Sequence, residues 1–263
     1  MKFGLIGHPI AHSLSPALFK AGYSGRYPYD LIETSDFEEA YLRFLNEYDG
    51  INVTAPFKEL AYSKADIISE ECRLIGATNL LVKTPEGVAA YNSDFRGLLY
   101  WLNTVTNNQP GETKALIVGL GGAGKAAAIA AWKAGLEVTL MNRDITKAED
   151  IAVRLGSRST VRPLTEFTEG FNESDVVIYN LPVKLPELEN LSKIKDGGNR
   201  KKHLLEANYK NPSFHKELLE NLKKSGIDIE YHSGLTWLLM QAVTGYELFT
   251  GEKPDLSKMA EQI

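Results

Sequence analysis

The chain has 263 residues, 43% hydrophobic and 24% charged, and no tract is dominated by a few residue types. This excludes wholesale disorder and leaves room for one large domain or two modest ones. Its formal net charge is −5, with Lys and Arg dispersed apart from the short "NRKKH" run at 199–203, so neither nucleic acid nor an anionic membrane is expected as a partner.

The first apolar run, "FGLIG", is too short for a signal peptide, and nothing approaches the ~18 consecutive apolar residues of a membrane span. The chain reads as a soluble, cytoplasmic protein. Its single cysteine, Cys72, has no partner for a disulfide and no companions for a zinc cluster, and reads as a small buried residue.

Strands are expected at 2–6, 28–33, 50–54, 78–83 and 87–91, with helices at 16–22, 36–48 and 59–68 between the first four. That alternation implies a mostly parallel α/β sheet. A helix follows from Asp94, and "NNQPGET" after it is the densest cluster of turn formers in the chain, which places a domain boundary in this stretch. A second alternation runs through strands at 114–120, 137–142, 175–181, 203–207 and 228–231, with helices at 123–134 and 146–155. This is the order of a doubly wound nucleotide-binding sheet. The amphipathic helix from 234 to about 249 exceeds what that sheet needs and is expected to pack back on the first domain.

"GLGGAGKA" places Gly119-x-Gly121-x-x-Gly124 between a strand and a helix within a βαβ unit. The glycines permit a tight turn, close approach of a pyrophosphate and close helix packing, and the helix N-terminus offers free N–H groups. Gly119, Gly121, Gly122, Ala123 and Gly124 are therefore candidate cofactor contacts. At the end of the next strand, where an NAD site carries an acidic residue for the ribose hydroxyls, stand Asn142 and Arg143, with Lys147 a turn later. Basic residues here favour a 2′-phosphate, hence NADP. Asp144 opposes phosphate unless its carboxylate caps the following helix.

In the first domain, Lys58 in "NVTAPFK" and Asp94 in "NSDFRG" lie just beyond strand C-terminal ends, the edge where open α/β sheets hold ligands. A solvated lysine and a helix N-cap are the plain alternatives for these two. Ser13 and Ser15 in "GHPIAHSLSP" flank the start of a helix at Pro16, where two hydroxyls suit a small anion; the plain alternative is that Ser15 caps the helix and Ser13 sits in a turn. His8 and His12 have helical metal-ligand spacing but belong to a loop without carboxylate or cysteine companions, so no metal is expected.

The set "GHPIAHSLSP", "NVTAPFK", "GATN", "NSDFRG", "GLGGAGKA", "NRD" and "GLTWLLMQA", in this order, resembles the shikimate dehydrogenase family over residues 4 to about 242. The resemblance implies a two-domain α/β protein. Its substrate domain is formed by both chain ends, 1–96 and 233–263, and a Rossmann-type NADP-binding domain, 97–232, is inserted between them. It also implies reversible, NADPH-dependent reduction of 3-dehydroshikimate to shikimate on the way to aromatic amino acids, in a monomer or homodimer.

Position by position, the resemblance makes Lys58 and Asp94 the catalytic pair and sets Ser13, Ser15, Thr54, Asn79, Tyr209 and Gln241 around the substrate, the two serines on its carboxylate. Trp237, the glycine-free "NLPV", the segment from Glu206 to Tyr209 and Asp144 depart from the family pattern. The alternatives are a quinate/shikimate dehydrogenase using NAD and a non-catalytic NADP-binding regulatory protein, which would have no need of Lys58 and Asp94 at strand ends.

Overall fold

The computed structural model describes residues 1–106, 113–193 and 201–263. Residues 107–112 of the expected turn cluster "NNQPGET" and the start of the basic run, at 199–200, lie outside the described residues. The chain forms two compact units, Met1–Gly97 with Leu238–Ile263, and Leu98–Trp237.

The first unit contains β1 (Phe3–Gly7), α1 (Ser15–Gly22), β2 (Tyr29–Glu33), α2 (Phe37–Glu47), β3 (Gly50–Val53), α3 (Lys58–Ser63), β4 (Ile67–Ile68), α4 (Glu70–Ile75), β5 (Leu80–Thr84) and β6 (Gly87–Tyr91). The chain leaves this unit within α5 (Ser93–Val105). The strands form one sheet in the order β2-β1-β3-β5-β6-β4. Strand β5 runs antiparallel to both β3 and β6, while the other ladders are parallel.

Side-chain alternation along β1 sends Phe3 and Ile6 into different cores. Ile6 packs with Phe37, Ala40 and Phe44 of α2, whose N-terminus is capped by Asp36 Oδ1 accepting from the amides of Glu38 and Glu39. Phe3 packs with Leu18 and Phe19 of α1.

The single helix expected at 59–68 is instead broken. Asp66 accepts the Val88 amide on its carboxylate at 2.8 Å and donates its own amide to the Val88 carbonyl at 2.9 Å. This draws Ile67 and Ile68 into a ladder with β6. Local helix propensity loses to the hydrogen bonds of a sheet edge. A second short helix, α4, then ends at Gly76, whose φ of +73° is the left-handed conformation glycine adopts at low cost.

The second unit contains β7 (Lys114–Val118), α6 (Gly122–Lys133), β8 (Glu137–Met141), α7 (Ile145–Leu155), β9 (Ser159–Arg162), α8 (Phe167–Glu173), β10 (Val176–Tyr179), β11 (Lys202–Glu206), α9 (Lys216–Lys224) and β12 (Ile229–Ser233). All its ladders are parallel, in the order β12-β11-β10-β7-β8-β9. Counted within the unit, this is the 3-2-1-4-5-6 order of a Rossmann fold, with its topological switch between β7 and β10. The periodicity had supplied neither β9 nor the helices α8 and α9.

The chain returns through α10 (Gly234–Thr250), whose Leu239, Ala242, Tyr246 and Phe249 join the core around Phe3 and Phe19, and ends after α11 (Leu256–Ala260). Backbones of α5 and α10 meet closely at Gly97, where an added Cβ would lie 2.4 Å from the Gln241 amide nitrogen.

Candidate active site

In the first unit, one edge of the sheet gathers the chemistry. The C-terminal ends of β1, β3 and β6 lead to Ser13, to Thr54 and Lys58, and to Asp94. Because β5 runs in the opposite sense, its start brings Asn79 to the same edge.

Lys58 Nζ lies 2.6 Å from Asp94 Oδ2, and both side chains are mostly buried, at 19% and 16% exposure. The helix cap is supplied by Asn92, whose Oδ1 accepts the Phe95 amide at 3.0 Å. Asp94 therefore does not hold the N-cap position, and its carboxylate faces Lys58. Partial burial makes such a charge-assisted contact stronger than its solvated counterpart. Thr78 donates its amide to the Lys58 carbonyl at 3.0 Å, fixing the first turn of α3 to the strand edge.

The two serines answer to one another. Ser13 Oγ donates to Ser15 Oγ at 3.1 Å and accepts the Ser15 amide at 3.2 Å. α1 starts at Ser15, one residue earlier than the sequence suggests, and its N-cap position, Leu14, makes no side-chain capping bond. Ser15 is thus not the cap of the helix, whereas Ser13, whose amide closes a turn onto the Ile10 carbonyl at 2.9 Å, satisfies its first amide.

Behind the serines lies polar support that sequence reasoning missed. Tyr246 donates its hydroxyl to the Ser15 carbonyl at 3.1 Å, and Tyr29 donates to Asn52 Oδ1 at 2.8 Å. Burial pushes both phenols well above their ordinary range, so they remain neutral donors. Asn52 Nδ2 reaches the Asn79 carbonyl at 3.4 Å.

Asn79 and Gln241 meet through Ser93, another residue the sequence reading did not single out. Ser93 Oγ accepts from Asn79 Nδ2 at 3.0 Å and donates to Gln241 Oε1 at 3.0 Å, and the Ser93 amide donates to Asn79 Oδ1 at 2.7 Å. The web thus runs to the residue next to Asp94. The only sequence signal for it was the "NSD" triplet itself, in which Asn92 caps, Ser93 bridges and Asp94 pairs.

In the second unit, Gly119 closes β7 with φ of +86°, and Gly121 occupies the N-cap position of α6. An added Cβ at Gly124 would lie 1.8 Å from the Gly119 carbonyl oxygen, whereas one at Gly121 would meet nothing within 4 Å. The loop is thus closed on its own helix and open where a pyrophosphate must approach. Asn180, at the switch point beyond β10, donates its backbone amide to the Val118 carbonyl at 2.8 Å and carries a buried Oδ1 without a hydrogen-bond partner. A cradle open at Gly121 and an unpartnered polar atom beside the switch fit a dinucleotide.

Asn142 serves the loop itself: its Oδ1 accepts the Leu120 amide at 3.0 Å and its Nδ2 donates to the Asp144 carbonyl at 2.8 Å. Arg143 and Lys147 are exposed. Tyr209 is half-buried on the loop after β11.

Residues 5–81 match the family described as "Shikimate dehydrogenase substrate binding domain", and residues 104–205 match "Shikimate / quinate 5-dehydrogenase". A shikimate dehydrogenase (NADP(+)) of Caldanaerobacter subterraneus subsp. tengcongensis is 32% identical, covering 99% of this chain and 95% of that protein. The chain belongs to the shikimate dehydrogenase family.

Among solved members of the family, shikimate 5-dehydrogenase from Thermus thermophilus in complex with NADP(H) and shikimate is 26% identical, with a TM-score of 0.77 over 100% of this chain and 98% of that one. Quinate dehydrogenase from Corynebacterium glutamicum in complex with NAD shares the fold, with a TM-score of 0.83 at 24% identity over 100% and 98% of the two chains.

The departures from the usual shikimate dehydrogenase pattern have local physical accounts. Glu206 is fully buried, and its carboxylate accepts the amides of Ser213 and Phe214 and the hydroxyl of Tyr231, which ties down the loop carrying Tyr209. The glycine-free "NLPV" turn is held by Tyr179, whose hydroxyl donates to the Val183 carbonyl at 2.7 Å and accepts the Leu185 amide at 3.1 Å. Asp144 occupies the N-cap position of α7 with extended backbone, but its side chain makes no capping bond. The capping role expected for that carboxylate is therefore absent. Trp237 is buried.

Proposed function

We propose that this chain is an NADP-dependent shikimate dehydrogenase, an oxidoreductase that interconverts 3-dehydroshikimate and shikimate in aromatic amino acid biosynthesis. The observation that carries the reading is the 2.6 Å contact between Lys58 and Asp94 at a sheet edge that also presents Ser13, Ser15, Thr54, Asn79 and Gln241. We assign Met1–Gly97 with Leu238–Ile263 to substrate binding and Leu98–Trp237 to the dinucleotide.

Bound NADP supplies hydride exchange at the nicotinamide. The glycine loop from Gly119 to Gly124, with Gly122 and Ala123 opening α6, would hold the pyrophosphate through backbone N–H groups, and Arg143 and Lys147 would hold the 2′-phosphate. Asn142 acts by holding that loop to the end of β8.

Lys58 Nζ gives a proton to the substrate oxygen during reduction and takes it back during oxidation. Asp94 orients the ammonium and accepts a substrate hydroxyl. Ser15 donates to the carboxylate, and Ser13 joins it by turning its hydroxyl proton from Ser15 to the ligand, while the Ser15 amide on Ser13 Oγ and the Tyr246 contact to the Ser15 carbonyl hold the two residues in place. Thr54, Asn79 and Gln241 contact the ring hydroxyls, with Asn79 and Gln241 locked by Ser93. The family resemblance also assigns Tyr209 to the substrate, on a loop that Glu206 fixes within the second unit.

Among the described residues no helix is long and apolar enough to cross a membrane. The family resemblance supports a cytoplasmic monomer or homodimer acting on a small molecule. The deciding experiment follows reduced nicotinamide by absorbance for shikimate and quinate, each with NADP and with NAD. NADP-dependent oxidation of shikimate, with quinate markedly poorer, is the expected outcome. No turnover of shikimate with either nucleotide by folded protein removes the assignment.

A further inference from the structure

The proposed reaction leaves unused a side-chain cluster on the edge of the second unit's sheet. Strands β11 and β12 are parallel neighbours, with His203 opposite Glu230 and Leu205 opposite His232. Opposed residues and residues two apart on a strand share a face, so His203, Glu230 and His232 project together. His203 Nδ1 stands 3.3 Å from His232 Nε2 and 3.7 Å from Glu230 Oε2, and His232 Nε2 is 3.7 Å from Glu230 Oε1.

In a tetrahedral site with bonds of ~2.0–2.1 Å, neighbouring ligand atoms stand roughly 3.3–3.4 Å apart. One donor atom from each of the three residues lies within 4.8 Å of the others, so side-chain rotation can close them about a small divalent ion without backbone movement. The two imidazoles are stacked with centroids 5.6 Å apart, and the Trp101 ring packs edge-on against His232 at 5.1 Å, which restricts how the His232 ring can turn.

We propose that His203, Glu230 and His232 bind a divalent first-row transition metal ion of the zinc class, with water completing the coordination. Two imidazole nitrogens and one carboxylate are a donor set for such an ion, whereas calcium and magnesium call for oxygen alone. Lys201 now holds the open side: its Nζ lies 2.5 Å from Glu230 Oε2, and its half-exposed side chain is free to withdraw into solvent. Metal entry thus exchanges one cation for another at the same carboxylate. Neither Lys58 nor Asp94 belongs to this cluster.

The test titrates the untagged, metal-free full chain with Zn2+ by calorimetry and with Co2+ by visible absorption. One equivalent of Zn2+ should bind with a dissociation constant on the order of micromolar or tighter, and Co2+ should develop the intense bands of four-coordination. His203→Ala and His232→Ala should each weaken binding at least about tenfold through loss of a ligand, and Lys201→Met should tighten it by removing the competing charge. Binding only in the millimolar range, or wild-type affinity in both histidine variants, overturns the site. If the histidine variants fail to fold, Lys201→Met on the rim decides, and an affinity unchanged from wild type overturns the proposal.

Discussion

Lys58 and Asp94 stand 36 positions apart in the chain and 2.6 Å apart in space, so each is the other's immediate electrostatic environment. Lys58→Met and Asp94→Asn should each lower kcat by on the order of 10²–10⁴, the range for positioned acid–base groups, with little change in Tm. A lysine variant with near wild-type kcat removes its assigned role. Ser13→Ala and Ser15→Ala should instead act mainly on KM, by roughly 1–2 kcal/mol each for a hydrogen bond to a charged acceptor. A substrate analogue with a neutral group in place of the carboxylate should be indifferent to both changes, and an equal loss on both substrates argues against the contact. At the ribose, the uncapped carboxylate of Asp144 beside Arg143 sharpens the cofactor question. Arg143→Ala should cost about 1.5–3 kcal/mol of NADP binding and leave NAD nearly untouched, read as dissociation constants at fixed ionic strength. A similar loss for both nucleotides transfers the ribose contact to Asp144.

Among the elements, the turn between β7 and α6 separates packing from binding within a few residues. At Gly124 an added methyl collides with the Gly119 carbonyl, so Gly124→Ala should lower Tm, by an overpacking cost of about 1–3 kcal/mol or more. Gly121 has φ of −70°, open to any residue, and free space around its missing Cβ. Gly121→Ala should therefore leave the Tm of the nucleotide-free protein unchanged or slightly raised while weakening NADP binding. Retained nucleotide affinity in Gly121→Ala contradicts the placement of the pyrophosphate there. In the first unit the decisive element is β5, whose reversed direction carries Asn79 to the edge that also holds Lys58 and Asp94. A wholly parallel sheet would have left Asn79 at the opposite edge.

Across the whole molecule, buried protons rather than surface ion pairs set the response to alkali. Burial pushes the Cys72 thiol up to about 11 from 9.0, and the Tyr23 and Tyr179 hydroxyls up to about 12 from 10.0. In the unfolded chain these groups lose their protons first. Their stabilisation is therefore complete below the unfolded values and is lost as pH rises through the folded ones. The urea midpoint should hold steady to about pH 9 and fall between there and about pH 11, with groups in both units contributing. A midpoint that stays level over that interval contradicts the burial of these groups. By the same burial, Cys72 should resist thiol reagents in the native state and react only on unfolding.

Periodicity and the glycine spacing were sufficient for the α/β class and the dinucleotide loop, because both are written in contiguous residues whose backbone requirements are local. The motifs around Ser13, Lys58 and Asp94 each had a plain alternative in the residues themselves, and the resemblance to the family is what singled them out. Tertiary structure alone decided that residues 67–68 leave a helical pattern for a strand, since the Val88 backbone that captures Asp66 lies 22 positions away. It also decided that Asn92 rather than Asp94 caps α5, that Ser93 joins Asn79 to Gln241, and that Glu206 holds the Tyr209 loop. These hydrogen bonds join groups whose separation in sequence carries no period, and burial gives each its strength.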